Sequence, residues 1–117
     1  MVTNTTPLGT ITISPDVFTT LAGDAATNCF GVAGMTLLSV TDGLVHLLRR
    51  ESMRKGVRVA YNDDNTISVE LHIAVGRDVN IPEICKSIQA EVRYKLESAA
   101  GIGVRAVDVF VDSMILG

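Results

Sequence analysis

Aromatic side chains are scarce in this sequence: three phenylalanines, two tyrosines and no tryptophan, 4% of 117 residues. A surface that holds nucleic-acid bases by stacking needs a supply of such rings, so a base-stacking platform is poorly provided for. Cysteine is equally sparse. Cys29 and Cys85 lie far apart, unlike a disulfide framework or a zinc site, and both read as reduced, buried, small apolar residues. Neither of the two histidines, His46 and His72, has a metal-ligating neighbour four residues on. No His-Glu-x-x-His, Cys-x-x-Cys, Walker-type glycine loop or nucleophile elbow occurs. No catalytic residue, metal ligand or cofactor is therefore assigned, and an enzyme is not expected. Apolar runs stay well short of the ~18 residues of a membrane span. The first residues, polar and without charged side chains, lack the basic and apolar regions of a secretory signal. They read as a flexible leader over 1–8, ahead of a single domain over 9–117, and the expected location is cytoplasmic.

What the chain has in quantity is apolar surface. Hydrophobic residues make up 47% and the mean hydropathy is +0.34, which excludes intrinsic disorder. A chain of this length buries roughly 65% of its unfolded surface on folding, enough for one core without staples. Charge is unevenly placed. Arg49, Arg50, Arg54, Lys55 and Arg58 face only Glu51 within ten residues, leaving that window at +4. Since the net charge is −3, the rest of the chain carries −7. Such a window is a solvated helix end and loop, or a contact for an acidic protein, an anionic membrane surface or RNA.

The periodicity sets out the elements. Gly9-Thr10-Ile11-Thr12-Ile13 alternates as a strand. Ser14-Pro15-Asp16 stops it and starts a helix, with Ser14 as N-cap and Pro15 at the first helical position. Val17, Leu21, Ala25 and Cys29 form the expected buried edge, and Gly31 the stop. Phe18 and Phe30 are also expected inside. Met35, Leu37, Leu38 and Val40 fit strand or helix equally, while Asp42 is placed to cap a helix containing Leu44, Val45, Leu47 and Leu48. Val57, Val59 and Tyr61 alternate, as do Ile67, Val69, Leu71, Ile73 and Val75. Asn62-Asp63-Asp64-Asn65 between them is a turn, so the two runs form a hairpin. Closure of Asn62 on Thr66 sets Arg58 opposite Glu70, whereas pairing Val59 with Ser68 would mix the two faces. Asn80 and Glu83 form a capping box for a helix with Ile81, Ile84, Cys85, Ile88, Val92, Leu96 and Ala99 on one face. Its other face carries Glu83–Lys86, Glu91–Lys95 and Arg93–Glu97 at ion-pair spacing. Gly101 ends it, and Val107, Val109 and Val111 alternate with Asp108, Phe110 and Asp112 in a last strand. The expected fold is α+β: a two-layer sandwich, its mainly antiparallel sheet of about four strands covered on one face by two or three helices.

Two local features admit more than one reading. Asp63 and Asp64 have no EF-hand spacing and fit a solvated hairpin tip. Gly31-Val32-Ala33-Gly34 is a helix stop with a tight turn, or a Gly-x-x-Gly clamp of the KH type. With the basic window 49–58 the second reading makes an RNA-binding module, although Val32 and Ala33 are apolar where a phosphate-facing loop wants Lys or Arg. Nucleic acid is accordingly the weaker of the partner classes.

Several motifs, taken in order, resemble the alkaline shock protein family of Gram-positive bacteria, an envelope stress response family. They are Gly9-Thr10-Ile11-Thr12-Ile13-Ser14-Pro15-Asp16-Val17; Gly31-Val32-Ala33-Gly34-Met35; Lys55-Gly56-Val57-Arg58-Val59; Asn80-Ile81-Pro82-Glu83 with Gln89, Val92 and Glu97; and Gly101 with Val104, Val107, Val109 and Val111. Ala100-Gly101 departs from the threonine that often precedes that glycine, and Val75-Gly76 from an aromatic. The resemblance implies a small non-enzymatic cytosolic protein. Some members sit near the membrane through a separate anchor protein and are tied to envelope stress, others to lipid metabolism. A homo-oligomer and an acidic or membrane-anchored protein partner are the expected associations. Phe110 on the open sheet face is assigned to self-association, and Arg49, Arg50, Arg54, Lys55 and Arg58 to the partner.

Overall fold

The computed structural model describes residues 2–38, 45–47 and 56–116. In chain order these form β1 (Val2–Thr6), β2 (Gly9–Ile13), α1 (Pro15–Thr27), β3 (Val32–Leu38), β4 (Val45–Leu47), β5 (Val57–Tyr61), β6 (Thr66–Gly76), α2 (Ile81–Ala100) and β7 (Gly103–Ile115). β6 is the centre of a five-stranded sheet. β7 runs parallel along its whole length on one edge. β5 and β3 share the other edge end to end, antiparallel, at Ile67–Leu71 and Ile73–Val75 respectively. β4 extends the sheet beyond β3. The α+β class and the mainly antiparallel sheet are as the periodicity indicates. The parallel β6–β7 pair follows from α2, which carries the chain back to the end at which β6 began.

Alternation in β6 decides which face is covered. Ile67, Val69, Leu71, Ile73 and Val75 are all buried beneath the helices. α2 meets them with Ile84, Ile88, Val92 and Leu96, one stripe at helical spacing. Its ends follow from capping chemistry: the Asn80 side chain accepts the Glu83 N–H, and Gly101 takes the left-handed turn at φ +66°. The hairpin register is the expected one, with Arg58 opposite Glu70 and Val59 opposite Val69. The Asn62 N–H donates to the Thr66 carbonyl at 2.9 Å, and Asn65 supplies the positive φ of the turn.

Elsewhere the structure corrects the sequence reading. α1 buries Phe18, Ala22, Ala25 and Ala26, a stripe one residue on from the expected one, and Val17 is exposed. Apolar residues spread over half the circumference of this helix, and the largest, Phe18, takes the core. Ser14 stands at the N-cap but makes no side-chain cap bond. Phe30 is 92% exposed, because the chain turns over Asn28–Gly31 and leaves the ring outside. Residues 2–6, read within the leader, form a strand on β2: β-branched Val2, Thr3, Thr5 and Thr6 suit extended backbone. Residues 45–47 are strand, not helix, and Gly34 lies within β3 beside a bulge at Ala33. The Gly-x-x-Gly segment therefore does not join two helices, as a KH clamp requires. Asp42 lies outside the described residues.

Gly56 marks the seam where β3 gives way to β5. A Cβ there would stand 2.9 Å from the Thr36 carbonyl oxygen, 3.0 Å from the Met35 Cβ and 3.2 Å from the His72 carbonyl oxygen. Two of these atoms are sheet backbone and cannot swing aside. Gly56→Ala is expected to lower the unfolding free energy by about 1–2 kcal/mol, within the range for overpacking, as read by urea denaturation.

Candidate functional site: the open face of the sheet

The face of the sheet away from the helices carries the even-numbered side chains of β6. Glu70 and His72 stand there beside Asp108 and Phe110 of β7, their register partners. Asp112 occupies a bulge, since Ile73 pairs with Val111 and Ala74 with Ser113. The bulge brings the Asp112 carboxylate over the sheet. One oxygen, Oδ2, accepts from the Thr36 hydroxyl at 2.9 Å and from His72 Nδ1 at 2.8 Å. Thr36 is only 1% exposed, so this bond satisfies a buried hydroxyl. His72 Nε2 lies 3.5 Å from Glu70 Oε2, and Arg58 Nε stands 3.7 Å from the same oxygen. The His72 ring stacks on Phe110 with centroids 4.8 Å apart and planes 10° from parallel. A network thus runs across four strands, from Thr36 through Asp112, His72 and Glu70 to Arg58.

An Asp–His pair is also the orienting half of a catalytic triad. Here both ring nitrogens face carboxylates of the same sheet, and one ring face rests on Phe110. The arrangement also holds Phe110: the phenyl ring lies flat against the imidazole, 43% exposed, in a polar frame. Beside it is a shallow recess of about 200 Å³ lined by Arg58, Ala60, Ser68, Glu70 and Asp108. Among the described residues, no group of three histidine, cysteine or acidic side chains is arranged to hold a metal ion, and no helix is long and apolar enough to cross a membrane. Burial pushes the Cys29 thiol up from its ordinary pKa, with Glu91 adding to the effect, and burial alone does so for Cys85. Such thiols are poor nucleophiles at neutral pH.

Of the residues assigned from sequence, Phe110 lies at the centre of this face and Arg58 at its rim, its side chain 83% exposed. Arg49, Arg50, Arg54 and Lys55 lie outside the described residues. His46 is in β4, and His72, which has no metal-ligating neighbour in the sequence, is the hub of the network. Asp112 and Thr36 were not singled out. The alternation already put His72 and Asp112 on outer strand faces. Only the parallel pairing and the bulge bring them together.

On the helix side, Arg93 and Glu97 do not pair with each other as their spacing suggests. Arg93 donates to the Val104 carbonyl at 2.9 Å, and Glu97 accepts the Val104 N–H at 3.1 Å. Gln89 donates to the Val107 carbonyl at 2.9 Å. Glu83 and Lys86 do meet, at 3.8 Å.

Comparison with known proteins places this architecture. The profile of the alkaline shock protein 23 family, described as having a cell envelope-related function, matches residues 3–116. The uncharacterized protein YloU of Bacillus subtilis is 32% identical over 110 residues, 93% of this chain and 91% of its own length. An uncharacterized Streptococcus pyogenes protein is 39% identical over 107 residues, 91% of this chain and 88% of its own. Among solved structures, a double variant of MamM CTD superposes with a TM-score of 0.60 at 18% identity, over 90% of this chain and 88% of that one. A manganese form of another MamM CTD variant gives 0.56 at 19%, over 86% and 99%. At that identity the likeness is one of fold. The family match over nearly the whole sequence carries more: this chain belongs to the alkaline shock protein 23 family, whose function is related to the cell envelope.

Proposed function

We propose that the protein is a non-enzymatic adaptor of the cell-envelope type, acting in the cytoplasm through self-association and through contact with an acidic protein partner. The observation that carries this reading is the presentation of Phe110. A half-exposed ring, stacked on His72 and framed by Asp108, Asp112, Glu70 and Arg58, has the make-up of a contact surface: an apolar anchor inside a charged rim. The sheet supplies a flat platform for it. The basic window Arg49, Arg50, Arg54, Lys55 and Arg58 supplies the second contact. It concentrates half of the ten basic residues of the chain in ten positions, and Arg58 at its end is exposed. Screening sets the expected behaviour, because contacts between exposed charges weaken as salt rises.

The experiment is a titration of the purified protein with a poly-glutamate peptide, read by fluorescence anisotropy. Binding is expected at low salt, weakening as salt rises. Replacing Arg49, Arg50, Arg54 and Lys55 together by serine is expected to weaken it by about tenfold or more. Equal binding by that variant would remove the basic window from the reading.

A further inference from the structure

We propose that the β1–β2 arm of one copy pairs along the free edge of β7 in a second copy, joining the chains head to tail. This rests on the self-association reading above and names the two surfaces that meet.

The arm is built as strand but finished by nothing among the described residues. Val2 and Ile13 pair at its root and pack against the core. Beyond them the residues out to the turn are almost all exposed, Leu8 completely and Ile11 by more than half. Thr3 pairs with Thr12 and Thr5 with Thr10, which puts four threonines on one face. An isolated two-stranded ribbon is marginal in water, and a third strand is what stabilises it. The arm is also free of charge. The first charged side chain in the sequence is Asp16, although 20% of the chain is charged. Depletion of charge is the compositional mark of an interface core.

β7 offers the complementary lack. It is an edge strand, since its only strand partner among the described residues is β6. α2 blunts the first part of the outer edge: Glu97 and Arg93 take the Val104 N–H and carbonyl, and Gln89 the Val107 carbonyl. Past Val107 no side chain among the described residues clamps the β7 backbone before its end; beyond it, Arg77 donates to the Leu116 carbonyl at 3.2 Å. The ladder with β6 runs regularly from Val107 to Val111 before the bulge at Asp112, a stretch as long as each five-residue strand of the arm. Phe110, Met114 and Ile115 leave apolar surface exposed along this part.

Charge selects the arm as the occupant. Pairing two β7 strands antiparallel about Phe110 would set Asp108 against Asp112, two like charges. The arm brings no charge to that edge, and Leu8 and Ile11 match its apolar side chains. The two surfaces differ, so the contact is heterologous and adds copies beyond a dimer unless the rotation closes a ring.

Two experiments on the full chain test this, both on a Cys29→Ser/Cys85→Ser background. In the first, Thr10→Cys protein is mixed with Asp108→Cys protein and treated with a short bis-maleimide. A covalent heterodimer is expected, and none when Asp108→Cys is replaced by the exposed control Ser98→Cys. A chain carrying both Thr10→Cys and Asp108→Cys that cross-links only within itself would overturn the proposal. In the second, Thr10→Pro removes a backbone N–H from the arm, and the melting temperature checks that the body stays folded. Self-association is expected to weaken by about tenfold. If Thr10→Pro associates as the parent does, the arm is not the contact, though self-association stands. If the parent stays monomeric throughout, the underlying reading fails as well.

Discussion

Leu71→Ala is expected to lower the unfolding free energy by about 3–4 kcal/mol. Leu71 is fully buried at the middle of β6, with Val57 of β5 on one side and Val109 of β7 on the other. Its side chain faces the helix layer, where Ile88 and Val92 close the core. Truncation removes three carbons, a methine and its two methyl groups, from an environment with no solvent to fill the space. The backbone around it cannot collapse inward, because strands on both sides hold it. A chain of this size has only about 5–15 kcal/mol of stability in all, so the loss is a large share. Urea denaturation of parent and variant measures it. A change below about 1 kcal/mol would mean that Leu71 does not occupy this position.

Asp112→Ala is the second large effect, expected at about 3 kcal/mol. The carboxylate oxygen Oδ2 accepts two hydrogen bonds, from Thr36 and from His72. Hydrogen bonds to a charged group are worth roughly 1.5–3 kcal/mol each, and stranding a buried hydroxyl adds its own desolvation cost. Thr36 has that status, whereas His72 can still turn toward Glu70. The double variant Thr36→Val/Asp112→Ala is therefore expected to recover part of the loss, since it removes the stranded group as well. If Asp112→Ala proves neutral, the network is decoration on the sheet and does not hold Phe110 in place.

The parts of the fold that could be read in the sequence are those with one dominant periodicity. In α2 the apolar stripe Ile84, Ile88, Val92 and Leu96 is set among charged residues, and only one face can go inside. The β5–β6 hairpin was legible for a similar reason: strict alternation on both strands and a turn of Asn and Asp leave one register, with Arg58 on Glu70. In α1 the apolar residues Val17, Phe18, Leu21, Ala22, Ala25 and Ala26 spread over one face half the helix wide, and tertiary packing chose the side of it that carries Phe18. Phe30 was assigned inside on hydrophobicity alone, yet its backbone lies in a turn that points it outward.

The site was half legible. Phe110, His72 and Asp112 could each be placed on an outer strand face, because side chains alternate. Their meeting depends on β7 lying parallel beside β6 and on one extra residue at Asp112, neither of which a local pattern encodes. The arm escaped for another reason: Met1 to Pro7 has no apolar alternation, and the pairing of Val2–Thr6 with Gly9–Ile13 comes from β-branched residues and a short turn.

In the function proposed above, copies of this chain meet at the open sheet face around Phe110. Sedimentation velocity over a concentration series tests it most directly, using the parent chain, Phe110→Ser and, as control, Tyr94→Ser on the exposed side of α2. The parent and Tyr94→Ser are expected to rise above the 12.5 kDa of a single chain as concentration increases, while Phe110→Ser stays at it. Equal association of all three, or a parent that remains a monomer at about 100 μM, where even weak contacts form, would contradict it.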